Sequence, residues 1–177
     1  QAVVQHCLPY ASGRQVLDFC AGGGGKALAF AAGGAASVTA HDAFPERMQD
    51  IPARAKRAGT PIAVHDEVVG QFDLVFCDVP CSGSGAWRRQ PEAKWTLDRD
   101  GLADLHATQD GILDMACRHV APGGTLAYAT CSLLPDENMA RVQAFRTRDE
   151  AWHCVFQRQW TPLDGADGFF LAILQRT

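Results

Sequence analysis

Val16-Leu17-Asp18-Phe19-Cys20-Ala21-Gly22-Gly23-Gly24-Gly25-Lys26 passes from an apolar run through four glycines into an alanine-rich segment. An apolar run reads as a buried strand, the glycines as a turn, and the alanine-rich stretch as a helix. Such a turn lets the backbone approach a ligand closely, and the helix start offers free N–H groups. Working outward, the spacing predicts further strands at Ser37–His41, Ile62–His65, Phe72–Asp78, Thr125–Thr130, Trp152–Gln157 and Phe169–Gln175. Helices are expected at Ala2–Tyr10, Lys26–Ala32, Pro45–Ala58, Leu102–Val120 and Asp136–Arg148. Strands alternating with helices define an α/β fold, a Rossmann-like, mostly parallel sheet of seven strands with helices on both faces. In the long helix Leu102, Leu105, Gln109, Ile112, Leu113, Ala116 and Val120 recur at helical spacing, so this face is expected to pack on the sheet. The stretch from Pro80 to Arg99 has no such period, and a loop of that length in a compact domain usually carries function.

A chain of 177 residues bounds the reading to one domain, taken as 1–177. Its 47% hydrophobic and 20% charged residues are those of a globular protein. No apolar run is long enough to cross a bilayer and no leader pattern is present, so a cytoplasmic monomer without membrane contact is expected. The seven cysteines are odd in number and irregularly spaced, and read as reduced thiols rather than a disulfide framework. A formal net charge of −4 has the wrong sign for holding nucleic acid by bulk electrostatics, so an RNA partner would need a local basic patch. The first residue is Gln1, not Met, and a preceding segment is expected to be absent from the chain.

Glycine turns also occur in dehydrogenases and in helix caps that bind nothing. Here the spaced G-x-G-x-x-G pattern is missing and Asp18 stands just before the turn. A carboxylate there repels a pyrophosphate and attracts the ammonium and sulfonium of S-adenosylmethionine, which favours a methyl donor over a nicotinamide. Asp42, at the end of the second strand, sits where doubly wound nucleotide binders place an acceptor for ribose hydroxyls. Asp66, past the third strand, reads either as an acceptor for an adenine amino group or as a turn former.

Ligands of open α/β sheets bind beyond the carboxyl ends of the strands. Phe72–Asp78 ends in a carboxylate and runs at once into Val79-Pro80-Cys81-Ser82-Gly83-Ser84-Gly85. Leu126-Ala127-Tyr128-Ala129-Thr130 ends in Cys131-Ser132. Two strand ends therefore deliver two thiols and a carboxylate to one edge of the sheet.

Asp78-Val79-Pro80-Cys81-Ser82-Gly83-Ser84-Gly85, followed by Arg88-Arg89, Pro91 and Lys94-Trp95, closely resembles the signature of the NOL1/NOP2/Sun family of RNA cytosine-5 methyltransferases. So do Tyr128-Ala129-Thr130-Cys131-Ser132 with Glu137-Asn138, the turn Cys20-Ala21-Gly22 through Gly25-Lys26, and the terminal Asp167-Gly168-Phe169-Phe170. The Trp87-Arg88-Arg89 context is similar to the bacterial Sun-type branch that acts on 16S ribosomal RNA.

The resemblance implies a Rossmann-like S-adenosylmethionine-dependent methyltransferase. By it, Cys131 is the nucleophile that adds to carbon 6 of cytosine, Asp78 protonates the base, Cys81 assists the later elimination, and Lys26 lies near the base or the cofactor. Asp18, Cys20, Ala21, Gly22, Gly23, Gly24, Gly25, Lys26, Asp42, Asp66, Asp78 and Pro80 are expected to hold S-adenosylmethionine. Arg88, Arg89, Lys94 and Trp95, with Trp87, read as the phosphate and stacking patch for RNA, rather than as a merely solvated face. A thiolate is needed because carbon 5 of cytosine is too electron-poor to attack a methyl group until carbon 6 has been added to. The remaining cysteines 7, 77, 117 and 154 are expected to be small buried hydrophobes, and Cys20 to line the turn without chemistry.

The chain departs from the family pattern with Gly23 in place of Pro and Ala27 in place of a hydroxyl residue, which is expected to loosen the cofactor loop. The N-terminal region with which family members grip RNA is barely represented by Gln1–Tyr10. Four other readings compete: the same chemistry on tRNA, a non-catalytic assembly factor, a DNA cytosine-5 methyltransferase, whose nucleophile would be the Pro-Cys thiol and against which the extra thiol Cys131 argues, and a zinc deaminase suggested by His65-Asp66-Glu67 and Pro80-Cys81. The last lacks its second cysteine, because Ser84 stands there, and no metal is expected.

Overall fold

The computed structural model describes residues 2–165 and 167–176. Seven strands form one sheet: β1 (Gln15–Asp18), β2 (Ser37–Ala40), β3 (Ala63–Val64), β4 (Phe72–Asp78), β5 (Val120–Thr130), β6 (Trp152–Trp160) and β7 (Phe169–Arg176). Their order is β3-β2-β1-β4-β5-β7-β6. All neighbouring pairs are parallel except those of β7, which runs antiparallel to both β5 and β6. The order reverses between β1 and β4, the place where open α/β sheets bind their ligands.

Among the described residues the helices α1 (Ala2–Ala11), α2 (Gly25–Ala32), α3 (Ile51–Ala58), α5 (Arg99–Ala116) and α6 (Met139–Arg148) pack on the sheet, and the short α4 (Ala93–Thr96), with no buried residue, lies in the loop after β4. Neighbouring strand residues point to opposite faces, so Leu74 and Phe76 pack with Val4 and Cys7 of α1, Phe30 of α2 and Ile51 of α3. Val75 and Cys77 pack with Leu113 and Ala116 of α5 and with Val142 and Phe145 of α6. Burial on both faces is why the central stretches Leu74-Val75-Phe76-Cys77 of β4, Leu126-Ala127-Tyr128-Ala129 of β5 and Phe170-Leu171-Ala172-Ile173-Leu174 of β7 do not alternate with charged residues. The expected architecture is observed. Among the described residues no helix is long and apolar enough to cross a membrane.

Several boundaries differ from those expected. The helix predicted at Pro45–Ala58 is a 3-10 turn, Pro45–Met48, followed by α3. Pro52 lacks an N–H and can start a helix but not continue one, so the helix restarts there. The long helix begins earlier, at Arg99, because the Asp98 side chain accepts from the Gly101 amide at 2.8 Å as its N-cap. It ends at Ala116, and Val120 belongs to β5. Leu102 and Leu105 on its first turns are only half-buried. The Asp136–Arg148 prediction also splits, into a 3-10 turn Pro135–Glu137 and α6. Cys7 and Cys77 are buried as expected, but Cys117 and Cys154 are half-exposed.

Candidate active site

The turn after β1 takes its shape from glycine. Gly24 has φ +75° and precedes α2, and a side chain there would collide with Ile51 of α3. Gly24 therefore has a steric reason to be glycine. The carbonyl of Gly23 accepts from the Arg54 guanidinium, so a loop expected to be loosened by its extra glycine is tied to α3 instead. Ala27 is fully buried against Phe30 and the sheet, where a hydroxyl would require a partner.

Asp42, at the end of β2, is 4% exposed; its carboxylate accepts from the Gly22 amide at 2.9 Å and the Phe44 amide at 3.0 Å. These residues border a cleft of about 860 Å³ beyond the ends of β1, β2 and β4. Cys20, Ala21, Gly22, Gly23, Gly25, Lys26, Asp42, Asp78 and Pro80 all line it. Gly24 does not, and Asp18 lies beneath the loop rather than on the wall. Asp66 is exposed and outside the lining, a correction to its expected place, because β3 is only two residues long and the chain leaves the sheet at Val64.

The cleft also has walls that the sequence did not reveal. Phe44, Thr108, Gly111, Ile112 and Met115 line it, the last four at helical spacing on α5. One face of α5 thus serves both sheet and cleft. Phe44 and Met115 remain 54% and 49% exposed, apolar area of the kind that a flat aromatic ring would cover.

Asp18 is 1% exposed, and the Ala27 amide of α2 is the hydrogen-bond donor that faces its carboxylate. Burial, then the Asp78 charge, pushes its carboxyl up to about 7, against the opposing pull of Lys26. Lys26 and Asp78 form an ion pair at the inner end of the cleft. Beyond that pair, Cys81 and Cys131 face each other with their sulfurs 3.3 Å apart. The two thiols have opposite tendencies. The hydrogen bond from Cys81 is the main influence lowering the pKa of Cys131, with Lys26 contributing, against burial and Asp78. Cys81 is pushed well above the ordinary thiol range by the same hydrogen bond and by burial. A contact of this length lets one thiol donate to the other as a thiolate, and the Lys26 ammonium favours the negative charge on Cys131.

The loops that carry the thiols are in close contact. The Gly85 amide donates to the Cys131 carbonyl at 2.9 Å, and the Gly85 carbonyl accepts from the Gly168 amide at 3.0 Å. A Cβ on Gly85 would run into the Gly168 backbone. Gly85→Ala is expected to destabilise the fold by about 2–3 kcal/mol, read as a lower urea midpoint at unchanged slope.

The expected basic patch is only partly free. Arg89 and Arg88 both pair with Asp167, at 2.6 and 3.8 Å. Lys94 lies 5.5 Å from the ring centre of Trp95, which is 82% exposed. Trp87 is half-buried and its indole N–H donates to the Ser82 carbonyl, so it braces the loop rather than presenting a free stacking face.

The seven-stranded order with one antiparallel strand, and a glycine-floored cleft at the reversal, place the chain in the class of Rossmann-like S-adenosylmethionine-dependent methyltransferase folds. A family model described as 16S rRNA methyltransferase RsmB/F matches residues 6–175, and the chain belongs to that family. The ribosomal RNA small subunit methyltransferase B of Klebsiella pneumoniae subsp. pneumoniae is 36% identical over 195 residues, covering 98% of this chain and 45% of the relative. The chain thus spans less than half the length of that curated relative. Among solved structures, PH0851 superposes with a TM-score of 0.90 at 28% identity, covering 99% of this chain and 45% of that one. NSun6 from Pyrococcus horikoshii, solved with SFG, gives 0.84 at 21% identity over 98% of this chain and 50% of its own, a likeness of fold.

Proposed function

We propose that this chain is the catalytic domain of an RNA cytosine-5 methyltransferase acting on ribosomal RNA, with S-adenosylmethionine as methyl donor and Cys131 as nucleophile. The observation that carries the reading is the pair of thiols 3.3 Å apart just past the ends of β4 and β5, beside a lysine–aspartate pair. An ordinary buried cysteine needs none of these arrangements.

The cleft residues suit the cofactor. Asp42 offers acceptor capacity for ribose hydroxyls, and Phe44, Ile112 and Met115 offer apolar cover for an adenine. Asp18 and Asp78 place negative charge near a cationic donor. When bound, S-adenosylmethionine supplies an electrophilic methyl group, which the activated carbon 5 takes.

The chain's own residues do the rest. Cys131 Sγ bonds to carbon 6 as the ring's π electrons move onto carbon 5, and the Lys26 ammonium gives up a proton that Asp78, its hydrogen-bond partner, relays to the ring nitrogen, leaving Lys26 neutral. After methylation a water takes the proton from carbon 5 as the carbon–sulfur electrons return to Cys131, and the ring nitrogen returns its proton through Asp78 to Lys26, which restores the ring, the thiolate and the ion pair. Cys81 assists that elimination. Arg88, Arg89, Lys94 and Trp95 contact the RNA, and a phosphate takes the place of Asp167 on the two arginines.

Ribosomal RNA bearing 5-fluorocytosine tests this reading, because fluorine replaces the proton that must leave and the adduct persists. A denaturing gel should show a trapped protein–RNA band with wild type, and none with Cys131→Ala. Loss with Cys81→Ala alone would move the nucleophile to that thiol. No band with wild type would leave a binding role in place of catalysis.

A further inference from the structure

Glu137, just before α6, is fully buried, and no cation pairs with it among the described residues. Its Oε1 accepts from the Ser82 amide at 2.8 Å and from Gln109 Nε2 at 3.0 Å. Its Oε2 accepts from the Ser82 and Ser132 hydroxyls, each at 2.5 Å. Ser82 follows Cys81 and Ser132 follows Cys131, so one carboxylate grips the residue next to each thiol. Gln109 extends the grip to the other side of Cys81, donating also to the Pro80 carbonyl at 2.9 Å. The Tyr128 hydroxyl fixes Glu137 itself, donating to its carbonyl at 2.6 Å.

Burying a carboxylate without a cation costs several kcal/mol unless its lone pairs are satisfied, and these four donors satisfy them. A neutral glutamine of the same shape could tie the loops together at lower cost. What it would lack is the negative charge beside the thiol pair.

We propose that Glu137 is a positioning residue that decides which of the two thiols keeps the proton, holding Cys81 as the donor and Cys131 as the thiolate. The inference rests on the reading of Cys131 as nucleophile. Beside the hydrogen bond and burial, the Glu137 charge is a further influence that opposes ionisation of Cys81. The other charges facing the pair are Lys26 of α2 and Asp78 of β4, and on Cys131 these two act in opposite directions. Glu137 breaks the remaining near-symmetry between two Cys-Ser turns.

Alkylation by iodoacetamide, followed peptide by peptide across a pH series on the whole chain without RNA or cofactor, reads this ordering directly. In wild type at neutral pH, Cys131 is expected to react at least about ten-fold faster than Cys81. In E137Q that preference should shrink to within about three-fold, with the pH midpoint of Cys131 raised towards the ordinary thiol range. A folded E137Q, checked by its melting curve, that keeps the wild-type ratio and midpoint overturns the proposal, since a merely structural tie would leave both unmoved. If E137Q does not fold, Ser82→Ala leaves the carboxylate with three of its donors while loosening its hold on the Cys81 side. About a three-fold narrowing is then expected, and an unchanged ratio overturns the proposal. A wild type in which Cys81 is the faster thiol refutes the nucleophile assignment itself, which separates that failure from a failure of the role given to Glu137.

Discussion

Cys131→Ser is expected to lower single-turnover methyl transfer by at least about 10³-fold while leaving the affinity for S-adenosylmethionine within about two-fold. A serine hydroxyl occupies nearly the same volume but does not ionise at neutral pH, so the covalent addition that activates carbon 5 is lost. Affinity should hold because Cys131 lies outside the lining of the cofactor cleft. Radiolabelled methyl incorporation and titration calorimetry check the two halves separately. The rate should also carry an acidic limb below the ordinary thiol range, because the Cys131 thiol is lowered by its hydrogen bond from Cys81. Retained activity in Cys131→Ser would remove the covalent mechanism.

Asp18→Asn is expected to flatten the pH dependence of stability in the protein without cofactor. The Asp18 carboxyl is raised from 3.8 to about 7 in the folded chain, chiefly by burial. Below the unfolded value both states hold the proton and the site costs nothing. As pH climbs, the unfolded chain releases the proton first, and stability falls until the folded chain releases it too near 7. The loss across that window is roughly 4 kcal/mol, from about three pKa units at 1.36 kcal/mol each. Asparagine has no such titration, but brings a buried amide that needs partners and costs about 1–3 kcal/mol where it lacks them. The variant should therefore be less stable than wild type near pH 4 and more stable near pH 8. Urea midpoints at the two pH values measure the crossing, and parallel curves would show that the Asp18 carboxyl releases its proton at the same pH in the folded and the unfolded chain.

The fold was legible because its signals are local. An apolar run, four glycines and an alanine-rich segment specify strand, turn and helix within a few residues, and runs such as Phe72–Asp78 are long enough to be recognised as strands buried on both faces. That Cys81 and Cys131 share one edge of the sheet was legible because each follows the end of a strand, but their roles came only through resemblance, because 50 residues separate them and nothing in either turn refers to the other. Glu137 was visible as part of a motif but not as the centre of a network. Its donors come from three separate segments, and serine and glutamine are too common to mark a contact. The tie from Arg54 to Gly23 and the neutralising of Arg88 and Arg89 by Asp167 escaped for the same reason. Asp66 was misplaced because a two-residue edge strand gives the chain little length over which to hold direction.

The position of β7 bears on how the protein is made. It is the seventh strand in chain order, yet it occupies an interior place between β5 and β6. On a ribosome, β5 and its thiol emerge well before the segment Phe169–Arg176 that covers their open side. Until that segment arrives, the nascent sheet carries an unpaired apolar edge along Thr125–Thr130, the type of surface that recruits a neighbouring chain or a chaperone. Closure of the edge also brings Gly168 onto Gly85, and with it the loop that holds Cys81. The reactive pair is thus completed only once the segment Phe169–Arg176 has been translated.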